Sequence, residues 1–163
     1  MTEDTRPRDA VVIERELDAP PELVWRMWTE AEQFAAWYGP TGATVSVRRM
    51  DLAVGGGRLV GMTMQTPDGP MEMWFTGEFR EIVEPERLVY TEAMSDAEGT
   101  AKTAAEMGMP DDHPVVTEVT VELTASGGGT RLVLTHAGVP ADSPGAMGWK
   151  MALDKLVAHL AGA

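Results

Sequence analysis

Two ionisable side chains fall where an apolar wall would need a reason to hold them. Glu92 and His136 take the inward parity of strand-like segments, beside Leu88, Tyr90 and Met94 in one case and Leu132 and Leu134 in the other. An unpaired carboxylate in such a wall is costly, or it gives up its charge. Glu92 is therefore expected at a cavity mouth or beside a partner. At hydrogen-bond distance the two would suit general acid and base work. The plainer expectation is a rim carboxylate and a histidine whose hydrogen bonds are satisfied. A third is that they orient a ligand without catalysis.

Other residue types narrow the chemistry. Trp37, Tyr38, Trp74 and Trp149 could stack on a planar molecule. Core packing is the competing use, above all for Trp25, Trp28 and Trp149. Trp74 has outward parity beside Glu72, which fits packing under a helix or a dimer contact. Among the 12 methionines, Met62, Met64, Met71, Met73, Met94 and Met151 are placed to line a hollow. Methionine suits an adaptable pocket and a loose core alike. Gly55-Gly56-Gly57 has no following Lys-Ser/Thr and opens no helix, so it is turn chemistry and not a phosphate loop. His113, His136 and His159 lack metal-ligand spacing, and Ser95, Ser126 and Ser143 lack a nucleophile-elbow context. The chain has no cysteine, which removes disulfides and thiolate sites. Neither metal nor cofactor is expected.

The elements that must position these residues follow from periodicity. Val11 to Leu17 alternates as a strand. Pro20-Pro21 and Glu22 then open a helix with Leu23, Val24, Met27 and Trp28 on its apolar face. Thr29 and Glu32 have capping-box spacing for a second short helix through Trp37 and Tyr38, stopped at Gly39-Pro40-Thr41-Gly42. From Ala43 to His136 the period is mostly two, with a hairpin turn at Pro67-Asp68-Gly69-Pro70 and another at Ser126-Gly127-Gly128-Gly129. Asp96 to Pro114 breaks the pattern and reads as a long loop, with one helical turn within Ala101 to Met107. It is either a solvated insertion or a cover for a pocket. Ser143 as N-cap and Pro144 at N1 begin a closing helix. Its face runs Trp149, Leu153, Leu156 and Leu160, with Lys150, Asp154 and Lys155 off that face and Gly162 as the stop.

At 163 residues the chain reads as one domain from residue 11 to 163 behind a disordered tail of residues 1–10. The net charge of −13 repels phosphate backbones and anionic lipid, and Arg48-Arg49 is the only basic doublet. Nucleic-acid binding is not expected. No apolar run is long enough for a membrane span, and Met1 to Asp9 lacks the apolar core of a secretory signal. A cytoplasmic location is the expectation.

This layout is α+β: a strand, two short helices, about six strands and a long helix. A curved sheet is wider than the single helix that covers it, so a hollow stays between them. The order and the local strings resemble the helix-grip superfamily, START and birch-pollen-allergen-like, also called SRPBCC. The branch is similar to the activator of the heat-shock-protein-90 ATPase. The strings are Ala19-Pro20-Pro21-Glu22-Leu23-Val24-Trp25, Trp37-Tyr38-Gly39-Pro40, Gly77-Glu78-Phe79-Arg80-Glu81-Ile82, Pro85-Glu86-Arg87-Leu88-Val89-Tyr90-Thr91, Leu134-Thr135-His136 and Gly148-Trp149-Lys150-Met151-Ala152-Leu153. They run in order, and the resemblance covers the chain from about Val11 to Leu160. The resemblance implies a six- to seven-stranded curved antiparallel sheet gripping the last helix, an apolar cavity and no uniformly shared catalytic residues.

The first expectation is a non-enzymatic binder of a small hydrophobic or aromatic molecule. From the sheet its ligand would meet Met71, Met73, Phe75, Tyr90, Glu92, Met94, Leu134 and His136. From the helices it would meet Trp37, Tyr38, Trp149 and Leu153. The second is a cyclase- or dehydratase-type enzyme using Glu92 and His136, since the resemblance includes polyketide cyclases. The third is a chaperone-type interaction module. Co-chaperones of the branch carry a chaperone-binding domain before this one, and here about ten residues precede the first strand. A homodimer through a sheet edge or an exposed aromatic is a further possibility.

Overall fold

The alternation of the central segments is realised as seven antiparallel strands in one sheet. The computed structural model describes residues 10–108, 115–139, 141 and 144–161. Strand β1 (Ala10–Leu17) is followed by α1 (Pro21–Thr29) and α2 (Ala31–Trp37). Then come β2 (Thr44–Met50), β3 (Gly57–Thr66), β4 (Gly69–Val83), β5 (Arg87–Ser95), β6 (Thr117–Ser126) and β7 (Gly129–Ala137), and α3 (Pro144–Ala161) closes the order. The sheet runs β1-β7-β6-β5-β4-β3-β2, so the first strand pairs with the last and each other strand lies beside its sequence neighbour. This is the expected helix-grip architecture. Ala10 already belongs to β1, one residue before the expected start. Residues 1–9, His113, Ser143 and Gly162 lie outside the described residues.

Inward parity and burial agree along most strands. Val11, Ile13 and Leu17 of β1 are buried while Val12 is exposed, and Val119, Val121 and Leu123 of β6 are buried with Leu132 and Leu134 of β7. Against them α3 lays Ala146, Trp149, Ala152, Leu153, Leu156 and Leu160. Ridding this much apolar side chain of water is the main stabilising term. Lys155, expected off the helix face, donates to the Tyr38 and Pro40 carbonyls at 3.1 and 3.3 Å. His159 in the last turn meets Gln33 Oε1 of α2 at 2.9 Å.

The two short helices pack as an aromatic plug. Pro20 is the N-cap of α1 and Pro21 opens its first turn. The expected capping box at Thr29 and Glu32 does not form. Glu30 is the N-cap of α2, no side chain caps it, and the Thr29 hydroxyl donates back to the Trp25 carbonyl at 3.0 Å. With only Glu30 between the helices, Thr29 is still the last residue of α1 and its hydroxyl is engaged there. Trp28 and Trp37 lie with centroids 4.6 Å apart, and Phe34 stacks on Tyr38 at 4.5 Å.

The β2–β3 register shifts between Val47 and Arg49, and three further features shape the sheet. β4 bulges between Phe79 and Glu81, and the glycine turn straps it: Gly55 N–H donates to the Phe79 carbonyl at 2.8 Å and Phe79 N–H to the Gly56 carbonyl at 3.0 Å. β5 is buried on both parities, with Val89, Thr91, Ala93 and Ser95 shielded as well as Leu88 and Tyr90. Part of that shielding comes from the segment after it, which returns alongside: Ser95 bridges Ala101, and Lys102 N–H donates to the Met94 carbonyl at 2.8 Å. Trp74, on the outward parity, packs against its own sheet and not under a helix of the described residues. Its ring lies over Gly61, where an added Cβ would come within 2.5 Å of the indole, and under the Arg48 guanidinium at 4.6 Å.

Candidate functional site

The elements leave a partly open cavity of about 830 Å³ between the sheet and the first half of α3. Its volume suits a drug-sized guest. Its walls are the far ends of β3, β4 and β5, the facing ends of β6 and β7, and the helix turns carrying Gly145, Gly148 and Trp149. Of the expected residues, Tyr38, Met73, Phe75, Glu92, Met94, His136 and Trp149 line it. Met62, Met64 and Met151 also face it, as their parity suggested, and Met107 joins them.

Five expected lining residues stand elsewhere. Trp37 is fully buried in the aromatic plug, its indole N–H donating to the Met27 carbonyl at 3.0 Å. Tyr90 is buried one layer below the cavity, with the Arg58 guanidinium 3.7 Å from its ring centre. Leu134 and Leu153 are fully buried members of the closed core between sheet and helix. Met71 lies near the β3–β4 hairpin, paired with Met64 in the ladder, and is exposed. Right parity is thus insufficient: the cavity takes only one end of each strand, and the other end is filled by core side chains.

Tyr38 reaches the wall because α2 stops there. Its backbone is extended (φ −65°, ψ 154°), and Gly39 follows at φ +84°, with Met62 Sδ and the Ala43 Cβ 3.3 Å from where a Cβ would stand. The Tyr38 hydroxyl donates to Glu92 Oε2 at 3.2 Å. Burial, with the Glu92 charge nearby, holds the phenol well above its usual pKa. It therefore remains a donor.

His136 is held from both sides. Trp149 Nε1–H donates to His136 Nδ1 at 2.9 Å, so the neutral ring carries its proton on Nε2. That proton points at Thr117 Oγ1, 2.7 Å away, and the Thr117 hydroxyl donates to the Glu92 carbonyl at 3.0 Å. Burial lowers the pKa of the ring, and the Glu92 charge opposes this more weakly. Glu92 and His136 thus share the cavity wall, joined by Thr117 through the backbone of Glu92. Each side chain bonds a different partner: Tyr38 for the carboxylate, Thr117 and Trp149 for the ring.

Sequence reasoning missed three participants. Thr117 carried no signal beyond its place at the start of β6. Met107 lies in the irregular segment after β5. There Thr103 and Glu106 make a reciprocal capping box, Glu106 N–H to Thr103 Oγ1 at 3.2 Å and Thr103 N–H to Glu106 Oε1 at 3.1 Å, which starts the 3₁₀ turn Ala105–Met107. The Thr-x-x-Glu spacing was legible in the sequence. Arg58 is the third. It is 3% exposed on the inward side of β3, below the cavity, and is ringed by Tyr90, Phe34 and Phe79 at 3.7, 5.2 and 5.7 Å. Among the described residues no group of three or more His, Asp or Glu side chains is arranged to hold a metal ion. No helix there is long and apolar enough to cross a membrane.

The family model described as Activator of Hsp90 ATPase homolog 1-like protein matches residues 18–161. No curated protein matches the chain. Among solved structures, a protein from Chromobacterium violaceum is similar at 26% identity and TM-score 0.75, covering 93% of this chain and 96% of its own. One from Mycobacterium smegmatis shares the fold at 22% identity and TM-score 0.76, covering 94% and 91%. The AHSA1 protein from Silicibacter pomeroyi does so at 21% identity and TM-score 0.71, covering 93% and 97%.

Proposed function

The chain belongs to the family of Activator of Hsp90 ATPase homolog 1-like proteins, and from that premise we propose that it binds a small apolar or aromatic molecule, without transforming it, in the cavity between sheet and α3. The observation that carries the reading is the void itself: about 830 Å³ walled by methionine and aromatic side chains, with its few polar groups gathered at Glu92, Thr117 and His136. Thioether walls adapt to guests of different shape. The location proposed for this activity is the cytoplasm.

A cyclase- or dehydratase-type reaction would draw on the same two ionisable residues. Of the two, His136 has both ring nitrogens engaged by protein partners, so it is poorly placed to serve beside Glu92 as the second proton-transfer group. That arrangement favours ligand orientation over proton transfer. Activation of a chaperone ATPase, the activity in the family's description, is a competing proposal that needs an outer surface and not the cavity.

Titration with a hydrophobic fluorescent probe tests the binding reading. Saturable enhancement at one site, reversed by a competing apolar molecule, is the expected result. Probe uptake that never saturates, with an ATPase captured from lysate by the same protein, would replace it with the interaction reading.

A further inference from the structure

The polar groups of the cavity wall are unequally free. The Trp149 N–H is directed to His136, the His136 Nε2–H to Thr117, the Thr117 hydroxyl to the Glu92 carbonyl, and the Tyr38 hydroxyl to the Glu92 carboxylate. These donors all end on protein acceptors. Among the described residues the spare side-chain hydrogen-bonding capacity is therefore acceptor capacity, and it is concentrated on one group. Among the described residues the Glu92 carboxylate takes one side-chain hydrogen bond, where a carboxylate accepts about four. Beside it stand the rings of Tyr38 and Trp149, edge to face with centroids 5.6 Å apart. Aromatic faces of this kind attract a cation.

Resting on the ligand-binding reading above, we infer that the cavity selects an apolar amine: a hydrocarbon or aryl body among the methionines, with its ammonium group on Glu92 and against the Tyr38 and Trp149 rings. The three head-group chemistries separate cleanly. An ammonium supplies several donors and the opposite charge. An alcohol supplies one donor and no charge. A carboxylate brings a like charge to Glu92 and finds no uncommitted side-chain donor among the described residues. A body with no head group would seal the Glu92 carboxylate away from water without a new partner, which a buried charge does not tolerate cheaply.

Calorimetric titration with octylamine, octanol and octanoate at neutral pH, on the native protein and on Glu92→Gln, tests this. The amine is expected to bind about tenfold or more tightly than the alcohol, as a charge-assisted hydrogen bond implies, and octanoate most weakly. Glu92→Gln should bring amine and alcohol to within about threefold of each other. If that variant does not fold, the native ranking alone decides. Equal affinity for all three would overturn the head-group inference and leave the cavity as an indiscriminate apolar site. Octanoate binding best would also overturn it, since a carboxylate head group would have to sit away from the like charge of Glu92. Binding of none of the three would remove the ligand-binding reading itself.

Discussion

His136 shows how a single residue can be read correctly in position and remain open in role. Its inward parity was legible in the Leu132, Leu134, His136 alternation, but its partners come from β6 and α3, which no local pattern predicts. Its depressed pKa has a consequence for stability. The unfolded ring, with an ordinary value of 6.5, binds a proton more readily than the buried one. This contribution is complete above about pH 6.5 and is lost as the pH falls toward and through the lower, folded value. Urea denaturation at successive pH values should show stability falling on the acid side, and His136→Gln should flatten that slope. An unchanged slope would mean that the ring is solvated. Arg58 carries the opposite lesson, since an arginine on β3 reads as a surface residue. Its Nε and Nη2 are buried without partners among the described residues, as are Trp28 Nε1 and the Tyr90 hydroxyl. Arg58→Met keeps the packing and removes the buried charge, so it should leave stability equal or higher by up to about 1.5 kcal/mol. Arg58→Ala leaves a hole among three aromatic rings and should cost about 2–4 kcal/mol. Denaturation midpoints of the two variants check both.

At the scale of elements, two Thr-x-x-Glu strings had equal claims on a capping box, and the context around each decided between them. At Thr29 the preceding helix still holds the hydroxyl, so the signature is idle; at Thr103 no helix precedes, the chain having just turned back beside β5, and the box closes. Thr103→Ala should therefore loosen the turn that presents Met107, visible as faster amide exchange from Ala105 to Gly108. Thr29→Ala should leave exchange in α2 unchanged. The strands were legible because their parity is enforced by a single buried face. β5 was legible only in half, because its second buried parity depends on a segment that comes back from beyond the strand. Gly61 belongs to the same class of hidden dependence. Nothing local marks it, yet it is the floor on which Trp74 lies, and Gly61→Val should cost about 1–3 kcal/mol by thermal unfolding as the indole is displaced.

For the molecule as a whole, the architecture followed from the order of elements, whereas the cavity's position did not. Parity separates inside from outside, but which end of the inside is filled depends on side chains meeting across layers: Leu134 and Leu153 close one end, while Gly145 and Gly148 leave the other open. Gly148 makes the point sharply. It sits in a helix interior, where glycine is unfavourable, and an added Cβ would meet nothing within 4 Å. Gly148→Ala should therefore raise stability by about 1 kcal/mol. Gly148→Phe should project a ring into the void from its α3 wall, keep the fold by circular dichroism and weaken probe binding. This division of the interior into a sealed end and an open end also bears on how such a chain changes over generations. Replacing Met62, Met73 or Met94 alters the mould offered to a guest while the sealed end goes on holding the layers together. A lineage built on this plan can swap what it carries without first relearning how to fold.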